Sequence, residues 1–151
     1  MNRLLITACF LSGLSSCAMI QNERNVLFMA QVPAELSNSL AADAIKQLQT
    51  LYPPAQTKFN IGQPVPETDS FGTALVLQLR EKGYAVQTYA PTQPATAVAG
   101  LSTLYTVDKP ASSGFAGLYR VQLTVGKAIL TRAYTAGNNT AVPAGAWAKM
   151  E

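Results

Sequence analysis

Apolar residues recur every three to four positions between residues 33 and 52. Leu36, Leu40, Ala44 and Leu48 form one line, and Ala41 and Ile45 widen it. That spacing predicts a helix with a core-facing stripe. Pro33 suits its first turn, and Pro53-Pro54 ends it, because a proline disfavours helical geometry in the residue before it. A short strand over 57–61 follows, with Phe59 and Ile61 on one face. Beyond a loop holding Pro64 and Pro66, Asp69 stands where an N-cap carboxylate accepts the free amides of the next turn. The helix it starts, over 70–82, carries Phe71, Leu75 and Leu79 on one face with Val76 beside them. Gly83 provides the left-handed residue after it, and the chain returns as a strand over 84–89. This strand-helix-strand unit predicts a right-handed parallel crossover.

The second half changes period. After a Pro/Ala/Thr loop, Leu101, Thr103, Tyr105 and Val107 share one face of a strand. After a Gly/Ser/Pro turn over 109–117, Tyr119, Val121, Leu123 and Val125 alternate with Arg120, Gln122 and Thr124. Gly126-Lys127 fits a two-residue hairpin turn with glycine first, and 128–134 is its partner strand. Gly137-Asn138-Asn139 marks another turn, and the tail 140–151 is loop or a last edge strand. The expected class is α+β: two helices packed on a mixed, mainly antiparallel sheet of about five strands, with one strand-helix-strand crossover.

The first 16 residues do not fit this scheme. Arg3 is a positive start, and Leu4 to Leu14 is an apolar run of 11 residues. That is too short for a bilayer, which needs about 20 residues, and suits a cleaved secretory signal. It ends in Leu14-Ser15-Ser16-Cys17, which resembles the bacterial lipoprotein box. The resemblance implies cleavage before Cys17 and covalent lipid on its thiol, with no other cofactor. Each buried methylene contributes about 0.8 kcal/mol, so two or three acyl chains anchor a protein durably. Ala18 follows. In the enterobacterial sorting pattern an Asp there retains a lipoprotein in the inner membrane, so Ala18 implies the outer membrane, with the domain in the periplasm. The expected division is a signal peptide over 1–16, a lipidated tether over 17–32 and one α+β domain over 33–151. Within the tether, Val26, Leu27, Phe28 and Met29 form an apolar run that reads as a strand or as an interaction segment.

Composition narrows the chemistry. The chain has no histidine, so no His-based triad, base or metal ligand is available. Its two cysteines cannot make a four-ligand zinc site, and Cys9 lies in the expected signal, which leaves Cys17 no internal disulfide partner. The net charge of +3 contains no basic run, so direct nucleic-acid binding is not expected. Glu67 and Asp69 read as loop charge and cap. Ser113 with Lys109 would be a nominal Ser-Lys pair, but Ser112-Ser113-Gly114 reads more simply as a turn. The tyrosines fall on or beside strands, where sheet-face packing is the default. No enzyme is expected.

Some pieces of the chain occur in a familiar order. These are Ala42-Asp43-Ala44, Gln47-Leu48, Leu51-Tyr52-Pro53-Pro54-Ala55, then Asp69 to Leu75 (Asp-Ser-Phe-Gly-Thr-Ala-Leu), Leu79-Arg80, Gly83-Tyr84-Ala85-Val86 and finally Pro143-Ala144-Gly145-Ala146-Trp147. With the lipoprotein box, this resembles the TrbH family of conjugal transfer lipoproteins. The resemblance implies a structural outer-membrane lipoprotein of a conjugative type IV secretion apparatus, which anchors or stabilises a channel of TrbG-like and TrbI-like subunits. Val26, Leu27, Phe28, Met29 and Trp147 are the expected partner contacts. Trp147 also reads as an aromatic at the core edge. A lipid-anchored periplasmic domain that binds a small ligand or cell-wall component, and a lipoprotein that bars redundant transfer into its own host, are the other expectations.

Overall fold

The structure is a computed structural model that describes residues 31–90, 99–110 and 117–151. Helix α1 covers Ala34–Leu51 and buries Leu36, Leu40, Ala41, Ala44, Ile45 and Leu48, which is the predicted stripe. A single 3-10 turn at Pro54–Gln56 leads into strand β1, Lys58–Ile61. Helix α2, Ser70–Glu81, starts at Asp69, whose carboxylate accepts the amide of Gly72 at 2.9 Å. It stops where Gly83 takes a φ of +84°. Strand β2, Ala85–Gln87, then lies parallel to β1.

The remaining strands are β3 (Leu101–Asp108), β4 (Leu118–Val125), β5 (Ala128–Gly137), β6 (Thr140–Pro143) and β7 (Ala148–Met150). The sheet order is β2-β1-β3-β4-β5-β6, with β7 also on β5. β1 pairs in parallel with both β2 and β3, and all later pairs are antiparallel. Gly126, at φ +60°, starts the two-residue turn between β4 and β5, as the sequence suggested. Asn138 and Asn139 both take positive φ between β5 and β6, a geometry that matches sheet twist and that asparagine tolerates.

The class is α+β as expected, but the sheet has seven strands among the described residues where about five were expected. The difference lies in the tail. β6 pairs with residues 134–137 of β5 and β7 with residues 129–131. Between them, the four tail residues 144–147 face only Arg132 and Ala133. This bulge splits the last edge into two short strands, and short pieces with no clear alternation carry little periodic signal.

Both helices cover one face of the sheet. Phe59, Ile61, Tyr105, Val107, Tyr119, Val121, Leu123, Leu130 and Tyr134 point under them and join the helix stripes in one core. Neighbouring register places Leu104, Thr124, Ile129 and Met150 in a row on the opposite, open face, which is otherwise rich in Ser, Thr and Gln. Replacing Leu48, which has no exposure, with Asp should cost about 3–5 kcal/mol, the penalty of an unpaired buried charge. Gln49→Asp on the exposed face should change stability by less than about 0.5 kcal/mol. Urea unfolding of the two variants is the check, and equal midpoints would mean that α1 does not face the core.

Candidate functional site

The polar contacts that fix the helices on the sheet converge on two aspartates. Asp43 sits mid-way along α1, seven residues and so about two turns on from buried Leu36, which sets it on the edge of the apolar stripe. A carboxylate there needs partners. Its Oδ2 accepts three hydrogen bonds: from Arg132 at 2.8 Å, from the Tyr134 hydroxyl at 2.8 Å and from the Trp147 indole N–H at 3.2 Å. Arg132 and Tyr134 lie on the inner face of β5, and Trp147 is the last residue of the bulge.

The same arginine holds the bulge closed. Its Nε donates to the Gly145 carbonyl at 2.7 Å, and the Ala144 amide donates to the Ala133 carbonyl at 2.9 Å. Trp147 stands edge-on to Tyr134, with ring centroids 6.4 Å apart. One carboxylate therefore joins the helix, the sheet and the tail. Ser39, a turn earlier, accepts the Ala141 amide of β6 at 3.0 Å, so the helix also covers part of the sheet edge.

Asp69 makes the second clasp. While Oδ1 caps α2, Oδ2 accepts the Tyr105 hydroxyl at 2.6 Å. Gly72 is needed for this approach, since a Cβ there would overlap both the Tyr105 hydroxyl and the Asp69 carboxylate. Beyond the end of β1, Gln63 accepts the Tyr105 amide at 3.0 Å and so serves the uncovered edge of β3. Burial raises the pKa of both tyrosines well above the ordinary value of 10.0, and the hydrogen bond to aspartate adds to it. Both phenols therefore remain protonated donors throughout the physiological range.

The residues singled out in the sequence fall in different places. Cys17, Ala18 and the run Val26, Leu27, Phe28 and Met29 lie outside the described residues, as does Ser113. Trp147 is half-buried in the Asp43 cluster. Glu67 is exposed in the turn before α2, and Lys109 stands over the Tyr119 ring at 4.9 Å. No group of three or more Cys, Asp or Glu that could hold a metal ion occurs among the described residues. The sequence reading missed Asp43, Arg132 and Tyr134 as a unit. The available signal was an acid in line with Leu36 on a buried stripe.

Two shallow grooves flank the layer. One, of about 350 Å³, lies at the end of the sheet where Tyr52, Lys127 and Glu151 meet. The other, of about 260 Å³, lies at the opposite end between the start of α1 and the β5–β6 turn. Among the described residues, no helix is long and apolar enough to cross a membrane.

Residues 21–151 match the family described as Conjugal transfer protein TrbH, and the chain belongs to it. It is thus a conjugal transfer component, expected to work beside other transfer components. No curated protein and no solved structure matches the chain.

Asp43→Ala should leave an arginine, a tyrosine and a tryptophan donor without their acceptor and cost about 3 kcal/mol in chemical unfolding; a loss below about 0.5 kcal/mol would deny the clasp any weight. A second expectation concerns alkaline pH. Above the ordinary tyrosine value the unfolded chain loses phenol protons that the fold retains, so stability falls as pH rises. The decline is about 1.4 kcal/mol per pH unit for each buried tyrosine. Melting temperatures from pH 8 to 11 should therefore drop less steeply in Tyr105→Phe/Tyr134→Phe than in the parent, and parallel curves would contradict this assignment.

Proposed function

We propose that this member of the TrbH family is a structural lipoprotein of the conjugative type IV secretion apparatus. Lipid on Cys17 holds it in the outer membrane, with the domain in the periplasm. There it anchors or stabilises the channel of TrbG-like and TrbI-like subunits through which plasmid DNA passes. The observation that carries the reading is the family match over 21–151. The Leu14-Ser15-Ser16-Cys17 box and the following Ala18 support the anchor and its membrane. The chain acts by holding partners. Asp43 and Asp69 are both engaged in pinning helices, which supports a structural role over work on a substrate.

Contacts to the channel come from Val26, Leu27, Phe28 and Met29 in the tether and from the bulge that Trp147 shapes. Aromatic anchors are enriched at the centres of interfaces. Tethering raises the effective concentration of a second contact to about the millimolar range when the linker matches the gap. A weak contact between domain and ring therefore suffices once lipid holds the protein beside it.

Palmitate labelling, mating efficiency and recovery of channel subunits by pull-down test this together. Cys17→Ser should abolish labelling, and loss of the anchor should weaken ring association on the order of a hundredfold. Phe28→Asp and a folded Trp147→Phe should lower transfer and ring recovery with labelling intact. Glu67→Ala, Lys109→Ala and Ser113→Ala should transfer like wild type. A folded, labelled Ser113→Ala or Glu67→Ala protein that joins the ring but does not support transfer would overturn the structural role in favour of chemistry.

A further inference from the structure

No charged residue falls in 91–98 or 111–116, so every charge from residue 33 on lies among the described residues. Some are neutralised in ion pairs: Asp108 with Arg120, Asp43 with Arg132 and Glu151 with Lys149. Apart from Lys46, part-way along α1, the rest divide between the two ends of the helix layer.

Both helices run the same way across that layer. The Gln78 side-chain amide of α2 donates to the Asn38 carbonyl of α1 at 3.2 Å. Further along both stretches of chain, the Tyr84 hydroxyl donates to the Tyr52 carbonyl at 2.6 Å. The two helix starts are therefore at one end and the two helix ends at the other.

At the starting end stand Glu35, in the first turn of α1, and Glu67 and Asp69, ahead of α2. Lys109, stacked on Tyr119 beside the start of α1, is of opposite sign. Tyr52 marks the finishing end. Its ring packs edge-on to Phe59, next to Lys58, and its carbonyl binds Tyr84, two residues from Lys82. It also shares a shallow groove with Lys127. Arg80 is in the last turn of α2, followed by Glu81. Lys58, Arg80, Lys82 and Lys127 thus outweigh Glu81 at one end, while Glu35, Glu67 and Asp69 outweigh Lys109 at the other. Lys58, Lys82, Lys127, Glu35 and Glu67 are all exposed.

Helix dipoles account for part of this division, since acids suit helix starts and cations suit helix ends. They do not account for Lys58 and Lys127, which stand at the start of β1 and in the β4–β5 turn. A body with opposite signs at opposite ends is complementary to a second copy of itself placed end to end. Like charges meet when the copy is turned round, and that juxtaposition is disfavoured.

We infer that the domain associates head to tail with a second copy of this chain. The Lys58, Lys82 and Lys127 end of one copy meets the Glu35 and Glu67 end of the next. The contact is heterologous, so its repetition closes a ring or continues as a filament. Exposed ion pairs are individually weak and are screened by salt. A single Glu67→Ala therefore leaves the association near that of the parent, whereas reversing a whole end does not. The inference rests on the placement of charge and not on lipid at Cys17 or on the channel. It extends the proposed role, because copies joined in this way can follow the circumference of a ring.

The full chain, purified in a nonionic detergent without other transfer components, tests this independently of the channel reading. Isotope-labelled and unlabelled copies are mixed and treated with a carbodiimide, which joins a lysine amine to a carboxylate in contact with it as an amide. Mass spectrometry should find mixed-isotope links from Glu35 or Glu67 to Lys58, Lys82 or Lys127. Links confined to single copies, or mixed links scattered without regard to end, would overturn the inference. Sedimentation velocity reads the association itself. Lys58→Glu/Lys82→Glu/Lys127→Glu and, separately, Glu35→Lys/Glu67→Lys should each weaken it about tenfold or more. Raising salt from about 0.1 M to about 1 M should do the same to the parent. The two reversed chains, each melting like the parent, should recover the association when mixed in equal amounts, because each then offers the end that the other lacks. Association that survives either reversal, or no recovery in the mixture, would contradict head-to-tail pairing.

Discussion

Two helices rest on this sheet through a pair of aspartate-tyrosine hydrogen bonds, and the arrangement of the layer depends on them. Apolar contact alone holds a helix against a sheet but leaves it free to slide, because hydrophobic attraction is non-directional. Asp43 and Tyr134 remove that freedom for α1, and Asp69 and Tyr105 remove it for α2. Each bond joins a charged acceptor to a phenol that is almost wholly buried, at 0% and 1% exposure. A buried phenol without an acceptor is costly, so sliding by one turn is penalised at both helices at once. Gly72 marks how close the approach is, since no larger residue fits between helix and tyrosine.

The two clasps are unequal in reach. Asp69 is local to its own helix start and binds one distant group. Asp43 gathers three donors, two of them from one strand and one from the tail bulge. Arg132 then ties the bulge to the strand by a bond to the Gly145 carbonyl. The tail, whose strands β6 and β7 are short and mostly exposed, is therefore held by polar convergence more than by burial. Below it, Tyr52, Phe59 and Tyr84 pack as a chain of rings, and the Tyr84 hydroxyl donates to the Tyr52 carbonyl at 2.6 Å. The end of α1 and the residue before β2 are joined in this way.

Much of the fold was legible because its signals are local. The Leu36-to-Leu48 line, the Asp69 cap, the left-handed Gly83 and the Gly126-Lys127 turn each express a rule that works within a few residues. What was not legible is what spans the chain. Asp43 lies 89 residues from Arg132, 91 from Tyr134 and 104 from Trp147. No periodicity connects such positions, and an acid beside an apolar stripe announces only that some partner must exist. The tail escaped for a related reason: residues 144–147 form a bulge whose geometry is set by Arg132 on the neighbouring strand, not by their own sequence. Trp147 was legible as an aromatic of consequence, but its hydrogen bond to α1 was not.

The span of the Asp43 clasp has a consequence in time. The helix that bears the carboxylate is made near the start of the chain, and the first of its donors, Arg132, is made 89 residues later. At about 5–20 residues per second, synthesis leaves Asp43 without that partner for roughly 4–18 s. Throughout that interval α1 has its apolar stripe but not the bond that sets its register. The native order of the layer is therefore a property only of the nearly finished chain.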